Sequence, residues 1–227
     1  MRFQNSRSRQ LADREVEIAI ALVIAMAGVA CHRDEDVSAP PAPIVKAELP
    51  ADLSIELERM ECYGTCPCYV VKIGATGSVE WEGRDYVDVE GAQVSQISID
   101  AVRALFTQFD GIGFAGLHDY YNVAVTDLDT AIVTLRSDGE VKRVSVRGAD
   151  EVKQGHVWVF VGDENERDDR SDADLMPTDE AEVSKREAEA CAKYGPTFLA
   201  LDDLAAAIDR AANTAQWIGT APKKRHR

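Results

Sequence analysis

The stretch AIVTLRSDGEVKRVSVR, residues 131–147, holds two strand-like runs, AIVTLRS and VKRVSVR, on either side of DGE. A short glycine-bearing turn between two such runs predicts a hairpin. The same grammar recurs upstream. In LSIELERM, Leu53 to Met60, the apolar Leu53, Ile55 and Leu57 alternate with polar residues, as in a strand with one buried face. CYVVKIGA, from Cys68, and SVEWEGR, from Ser78, flank a turn at Ala75 to Gly77. Between the hairpins lies SIDAVRALFTQF, where Ser98 or Asp100 can cap a helix that puts Val102, Leu105, Phe106 and Phe109 on one face. Strand pairs separated by a helix predict an α+β fold, an antiparallel sheet built from hairpins with helices packed on one face.

Downstream, GHVWVFV at Gly155 to Val161 reads as a further strand. An acidic insertion follows at about residues 162–179, and its spacing does not form an EF-hand loop. Two helical segments are then expected. Glu180 to Tyr194 carries a thin apolar stripe, and the second opens at Pro196 and buries Leu201, Leu204, Ala205, Ile208 and Ala212. No internal repeat is present, and 227 residues accommodate one ordinary domain plus appendages. The expected organisation is a signal peptide at 1–30, a Pro/Ala-rich tether at 31–52, a single domain at 53–218 and a basic, solvated tail at 219–227.

The leader motivates that division. MRFQNSRSRQLADREVE precedes an uncharged run, Ile18 to Ala30, which ends in small residues and is too short for a permanent membrane helix. Gly28-Val29-Ala30 before Cys31 resembles the lipobox of bacterial lipoproteins, although Gly28 stands where a larger aliphatic is usual. That resemblance implies a lipid on Cys31 and attachment to a membrane, in the periplasm or facing the exterior. The chain has 40 acidic against 25 basic side chains, a formal net charge of −15, which repels phosphate backbones and excludes nucleic acid as a partner.

The cysteines carry the most chemistry. CYGTCPCY, Cys62 to Tyr69, concentrates three, with Cys191 remote. In an oxidising compartment a disulfide framework is the first expectation. Gly64 lets the chain turn so that Cys62 meets Cys66, whereas Cys66 and Cys68 lie too close along an extended segment for an easy link. Cys68 would then pair with Cys191 and tie the last helical region to the sheet. A thiol redox or metal-handling role for Cys62, Cys66 and Cys68 is the alternative, although the spacing is neither C-x-x-C nor a paired zinc knuckle. A possible polar site comprises His118, Asp119, Tyr120 and Asp127, with Tyr121 and Asp129 nearby; His and Asp can serve as base and orienter in hydrolysis. No nucleophile elbow, H-E-x-x-H helix or phosphate-cradling loop accompanies them, so neither cofactor nor metal is expected and a non-catalytic role is favoured.

In order and spacing, CYGTCPCYVVKIGATGSVEWEG, SIDAVRALFTQFDGIGF, LHDYYNVAVTDLDTAIVTLRSDGEVKRV and LDDLAAAIDRAANTAQWI resemble the bacterial domain-of-unknown-function family 6438. The resemblance spans Leu53 to Ile218, with C-Y-G-T-C-P-x-Y as its most specific core. It implies export and an architecture, and it brings no activity. The expectation is therefore an envelope protein whose partner is another envelope protein or a small ligand.

Overall fold

The computed structural model describes residues 48–155, 157–164 and 179–219. The leader, Cys31, the tether up to residue 47, most of the acidic insertion and the tail from residue 220 lie outside the described residues. The elements are β1 (Ser54–Met60), β2 (Cys68–Gly74), β3 (Ser78–Asp85), β4 (Gly91–Gln96), α1 (Ile99–Gly111), a 3-10 turn (Phe114–Gly116), β5 (Tyr120–Val123), β6 (Thr130–Ser137), β7 (Glu140–Arg147), α2 (Ala149–Gln154), β8 (Val159–Gly162), α3 (Glu180–Ala212) and α4 (Ala215–Ile218). The strands form one sheet in the order β4-β3-β2-β1-β6-β7-β5-β8. Every neighbouring pair is antiparallel except β5 and β7, which run parallel. The protein is thus α+β, as the hairpins predict.

Alternation decides which face is covered. Ile55 and Leu57, Tyr69, Val71 and Ile73, Val79 and Trp81, Val133, Val144 and Val146 are all buried in one core with the helices. Their strand neighbours, such as Glu56, Lys72, Glu80 and Glu82, stand on the opposite side of the pleat. On the helix side, α1 contributes Val102, Leu105 and Phe109, and Ser98 caps it by accepting the Ala101 N–H at 3.1 Å. The β6–β7 turn is made by Asp138 and Gly139, both at positive φ (54° and 81°). Such a two-residue turn follows the right-handed twist of the strands it joins. The Asp52 carboxylate accepts both turn N–H groups, at 2.9 and 2.8 Å, and these bonds hold its pKa below the usual value.

Two sequence expectations are corrected. The helical region after Asp179 is one helix of 33 residues with Pro196 inside it. Proline removes one helical N–H and crowds the preceding turn. The helix continues because its buried face does not stop there: Gly195 and Phe198 flank the proline and lead into Leu201, Leu204 and Ile208. The apolar face outweighs a local penalty of about 3 kcal/mol. Three elements also escaped the periodicity reading, β4, β5 and α2, while the last helical segment, expected to run on to Ile218, breaks at Asn213 before the single turn of α4. β4 is almost wholly exposed and β5 has only four residues, so neither shows a full alternation.

The last turn matters beyond its length. Asp88 and Val89 donate their N–H groups to Trp217 O, at 2.9 and 3.0 Å. Trp217 thereby reaches Trp81 at a ring-centroid distance of 5.2 Å, and Trp81 in turn stacks on Tyr69 at 4.4 Å. No helix among the described residues is long and apolar enough to cross a membrane.

Candidate functional site

Cys62 and Cys66 are joined, with their Cα atoms 5.7 Å apart. Gly64 turns the ring by donating its N–H to Cys62 O at 2.8 Å. Cys68 and Cys191 are free, which overturns their expected pairing. The pleat is the cause. Tyr69, Val71 and Ile73 face the helices, so Cys68 faces the other way, where Arg84 is its neighbour. Cys191 lies on α3 against the helix-side core, with its thiol 3.5 Å from Val157 O. The sheet stands between the two sulfurs. Burial pushes the Cys68 thiol above its ordinary pKa, with Arg84 partly opposing. The three clustered cysteines therefore form one crosslink and one buried thiol. Among the described residues no group of three or more His, Cys, Asp or Glu side chains is placed to hold a metal ion.

The disulfide ring walls an open cleft of about 630 Å³, lined by Glu61 to Gly64, Tyr86, Asp127, Leu128, Thr130 and Arg147. These come from four separate connections and strand ends at one end of the sheet. The Tyr63 N–H donates to Asp127 O at 3.4 Å, which fastens the ring to the loop before β6. Two wall residues have an unusual backbone. Among the described residues four non-glycine positions have positive φ: Asp138 in the hairpin turn, Asn213 closing α3, and the cleft residues Tyr86 (56°) and Asp127 (67°). The first two serve tight turns that require this conformation. A bulky aromatic there is an outlier, and such outliers concentrate at functional sites.

The rim is apolar as well as charged. Tyr63 is 88% exposed, and Met60 at the end of β1 and Val125 in the loop before β6 are also exposed. On the wall, Glu61 and Asp127 supply carboxylates and Arg147 a guanidinium. Arg147 donates one NH₂ group to Val123 O at 3.0 Å, while its Nε is buried without a partner among the described residues. The arrangement offers two aromatic rings, two carboxylates and one fixed cation around a drug-sized volume, and so suits binding.

The other polar residues read from the sequence are split. Asp127 belongs to the cleft, whereas His118, Asp119 and Tyr120 lie at the β5–β8 edge. His118 Nδ1 is 3.2 Å from Asp163, and Asp119 accepts from Lys142 at 2.7 Å and from the Glu164 N–H at 3.1 Å. The Lys142 bond, helped by the Glu164 N–H, holds the Asp119 pKa below its usual value. Tyr120 packs against Gly162, and Tyr121 is buried with its ring edge-on to Phe198 at 5.6 Å. These contacts clamp β5 and β8 together. No serine, threonine or cysteine of the described residues is hydrogen-bonded to His118, so no nucleophile is paired with it. Asp129 is exposed, 3.9 Å from Arg59.

A second polar cluster, unread in the sequence, sits on the helix side. Asp209 on α3 accepts from Tyr69 OH at 2.6 Å, Arg59 at 3.0 Å and Thr214 at 3.0 Å. Burial, reinforced by the Asp209 charge, raises the Tyr69 pKa far above its ordinary value. This cluster binds α3 to β1 and β2. The only signal for it was the polar Arg59 at an inward-facing place in β1.

Fold and cleft together define an α+β domain with one helix-covered sheet and a disulfide-closed ring at the sheet end. Residues 53–160 match the family described as Domain of unknown function (DUF6438). The match supports the family resemblance from β1 to the first residues of β8 and includes every residue of the cleft wall. It stops short of α3, although the resemblance read from the sequence runs on to Ile218. No curated protein matches the chain.

Proposed function

We propose that this protein is an exported, lipid-anchored domain of the bacterial cell envelope that binds a ligand in the cleft beside the Cys62–Cys66 ring and has no catalytic role. The observation that carries the reading is the cleft itself: a crosslinked wall, two wall residues at positive φ and the exposed ring of Tyr63 around about 630 Å³. A crosslinked ring suits an oxidising compartment, in agreement with the leader and with Cys31 as the lipidated residue. Stiffening one wall also lowers the ordering cost of binding.

A fragment screen by amide NMR on the full-length protein tests the binding role. Hits should shift the amides of Tyr63, Tyr86, Asp127 and Arg147, and Tyr63→Ala should weaken them. A screen whose hits all map elsewhere defeats this reading. The mass of the mature amino terminus tests export and acylation: a chain beginning at an acylated Cys31 is expected, and a retained leader refutes the anchor.

A further inference from the structure

Among the described residues four lysine or arginine side chains are half-buried: Arg59, Arg103, Lys142 and Arg147. Three of them meet a carboxylate, Arg59 on Asp209 at 3.0 Å, Arg103 on Asp100 at 3.0 Å and Lys142 on Asp119 at 2.7 Å. Arg147, in the cleft wall, is the exception. Its guanidinium donates to Val123 O at 3.0 Å, leaves Nε buried without a partner, and forms no ion pair among the described residues. Taking a charge partly out of water without a counter-charge costs free energy that a pairing recovers. Carboxylates are plentiful in a chain of 40 acidic and 25 basic side chains. A half-buried arginine that has none, on the wall of a cleft, therefore marks a place for a carboxylate brought by a ligand.

The neighbours of Arg147 refine the ligand's chemistry. Thr130 lies directly opposite it in the β6–β7 register, so the two side chains share a face of the sheet and both line the cleft. A planar guanidinium fork with a hydroxyl beside it suits a carboxylate. Asp127 supplies the opposite sign. Its carboxylate accepts from the Thr126 hydroxyl at 3.3 Å and meets no cation among the described residues. Glu61 also lines the cleft, but it already has an interaction within the chain, so Asp127 is the carboxylate available to a ligand. Tyr63 and Tyr86 add ring faces, which take an apolar body or a cation. A bare anion is repelled by a chain of formal net charge −15, and a bare cation leaves Arg147 unpaired. A ligand with one charge of each sign meets neither obstacle.

We propose that the cleft takes a small zwitterion of the amino-acid or short-peptide class, its carboxylate on Arg147 and Thr130, its ammonium group at Asp127 and its side chain against Tyr63 and Tyr86. The inference rests on the cleft being a binding site. The two charges contribute unequally, because Arg147 is half-buried and Asp127 is exposed. Removing the ligand's carboxylate should weaken binding about tenfold. Removing its ammonium group should weaken binding about threefold.

The test is an amide NMR titration of the full-length protein with phenylalanine, phenylalanine amide and N-acetylphenylalanine. Phenylalanine should bind best and shift the amides of Tyr63, Tyr86, Asp127 and Arg147. The amide, which lacks the carboxylate, should be about tenfold weaker, and the N-acetyl compound, which lacks the ammonium group, about threefold weaker. Arg147→Met should abolish the preference for phenylalanine over its amide, and Arg147→Lys, which keeps the charge without the fork, should restore part of it. Asp127→Asn should abolish the preference over N-acetylphenylalanine; asparagine tolerates the positive φ there. Urea midpoints matching wild type show that each variant is folded, and if Arg147→Met does not fold, wild type and Arg147→Lys decide. A parallel titration with alanylphenylalanine separates the two sources: tighter binding than phenylalanine assigns a peptide, weaker binding a free amino acid, and either supports the pairing. Wild type that binds the amide or the N-acetyl compound as tightly as phenylalanine overturns the proposal, and so does a preference that survives Arg147→Met. Binding of none of the compounds also overturns it, and cleft hits in the fragment screen would then leave the cleft a binding site for another kind of ligand.

Discussion

Replacing Asp209 by alanine should unfold this domain far more easily than any surface change, because it strands a cation. Arg59 and Asp209 are each only 19% exposed and meet at 3.0 Å. Removing one partner of a buried pair costs about 3 to 5 kcal/mol, most of it the penalty on the charge left behind. Two features pull the figure to the lower end: the partial exposure, and Asp129, which stays 3.9 Å from Arg59. Two add to it, since the Tyr69 and Thr214 hydroxyls lose their acceptor. The expected loss is about 3 kcal/mol. With a urea slope of about 2 kcal/mol/M, the midpoint should fall by about 1.5 M. Asp209→Asn keeps the shape and an acceptor and should cost less. A cycle with Arg59→Met should return a coupling of about 1 to 2 kcal/mol between the two sites. If Asp209→Ala shifts the midpoint by less than about 0.5 M, or the coupling is zero, the cluster does not hold α3 to the sheet and the account of how that helix docks is wrong.

Three further outcomes are expected. Because the Tyr69 pKa is raised in the folded protein, the unfolded chain loses that proton first, near pH 10, so its contribution is complete below about pH 10 and disappears as the pH climbs toward the folded value. The urea midpoint should therefore fall more steeply with alkaline pH in wild type than in Tyr69→Phe; parallel curves refute the assignment. Pro196→Ala should raise stability by about 1 to 2 kcal/mol in urea unfolding, since it restores a helical hydrogen bond inside α3, less the entropy that proline removes from the unfolded chain. A lower midpoint would show that the proline fits its packing. Thiol titration of mature protein, denatured without reductant, should find Cys68 and Cys191 free and Cys62 and Cys66 joined; in the native state Cys68 should be slow to alkylate, being buried with a raised pKa. Four oxidised sulfurs would restore the Cys68–Cys191 link.

Local rules made much of the fold legible in the sequence. The period-2 runs at Leu53–Met60, Cys68–Gly74 and Ala131–Arg147 give β1, β2, β6 and β7, because a strand with one buried face imposes that alternation at every step. Ser98 announces the start of α1, and the ring from Cys62 to Cys66 follows from five consecutive residues and one flexible glycine. Each of these is settled by atoms a few residues apart.

What remained hidden depends on groups brought together from far along the chain. Whether Cys68 faces Cys191 is decided by which side of the pleat it occupies relative to helices more than a hundred residues away. The continuity of α3 through Pro196 is decided by a buried face that outweighs the local cost. The cleft joins the ring, Tyr86, the Asp127 loop and the end of β7, and exists only where the sheet gathers those ends. Short-range sterics and periodicity write the elements into the sequence; the partner that each exposed or inward-turned side chain will meet is set by the packing of the sheet against its helices.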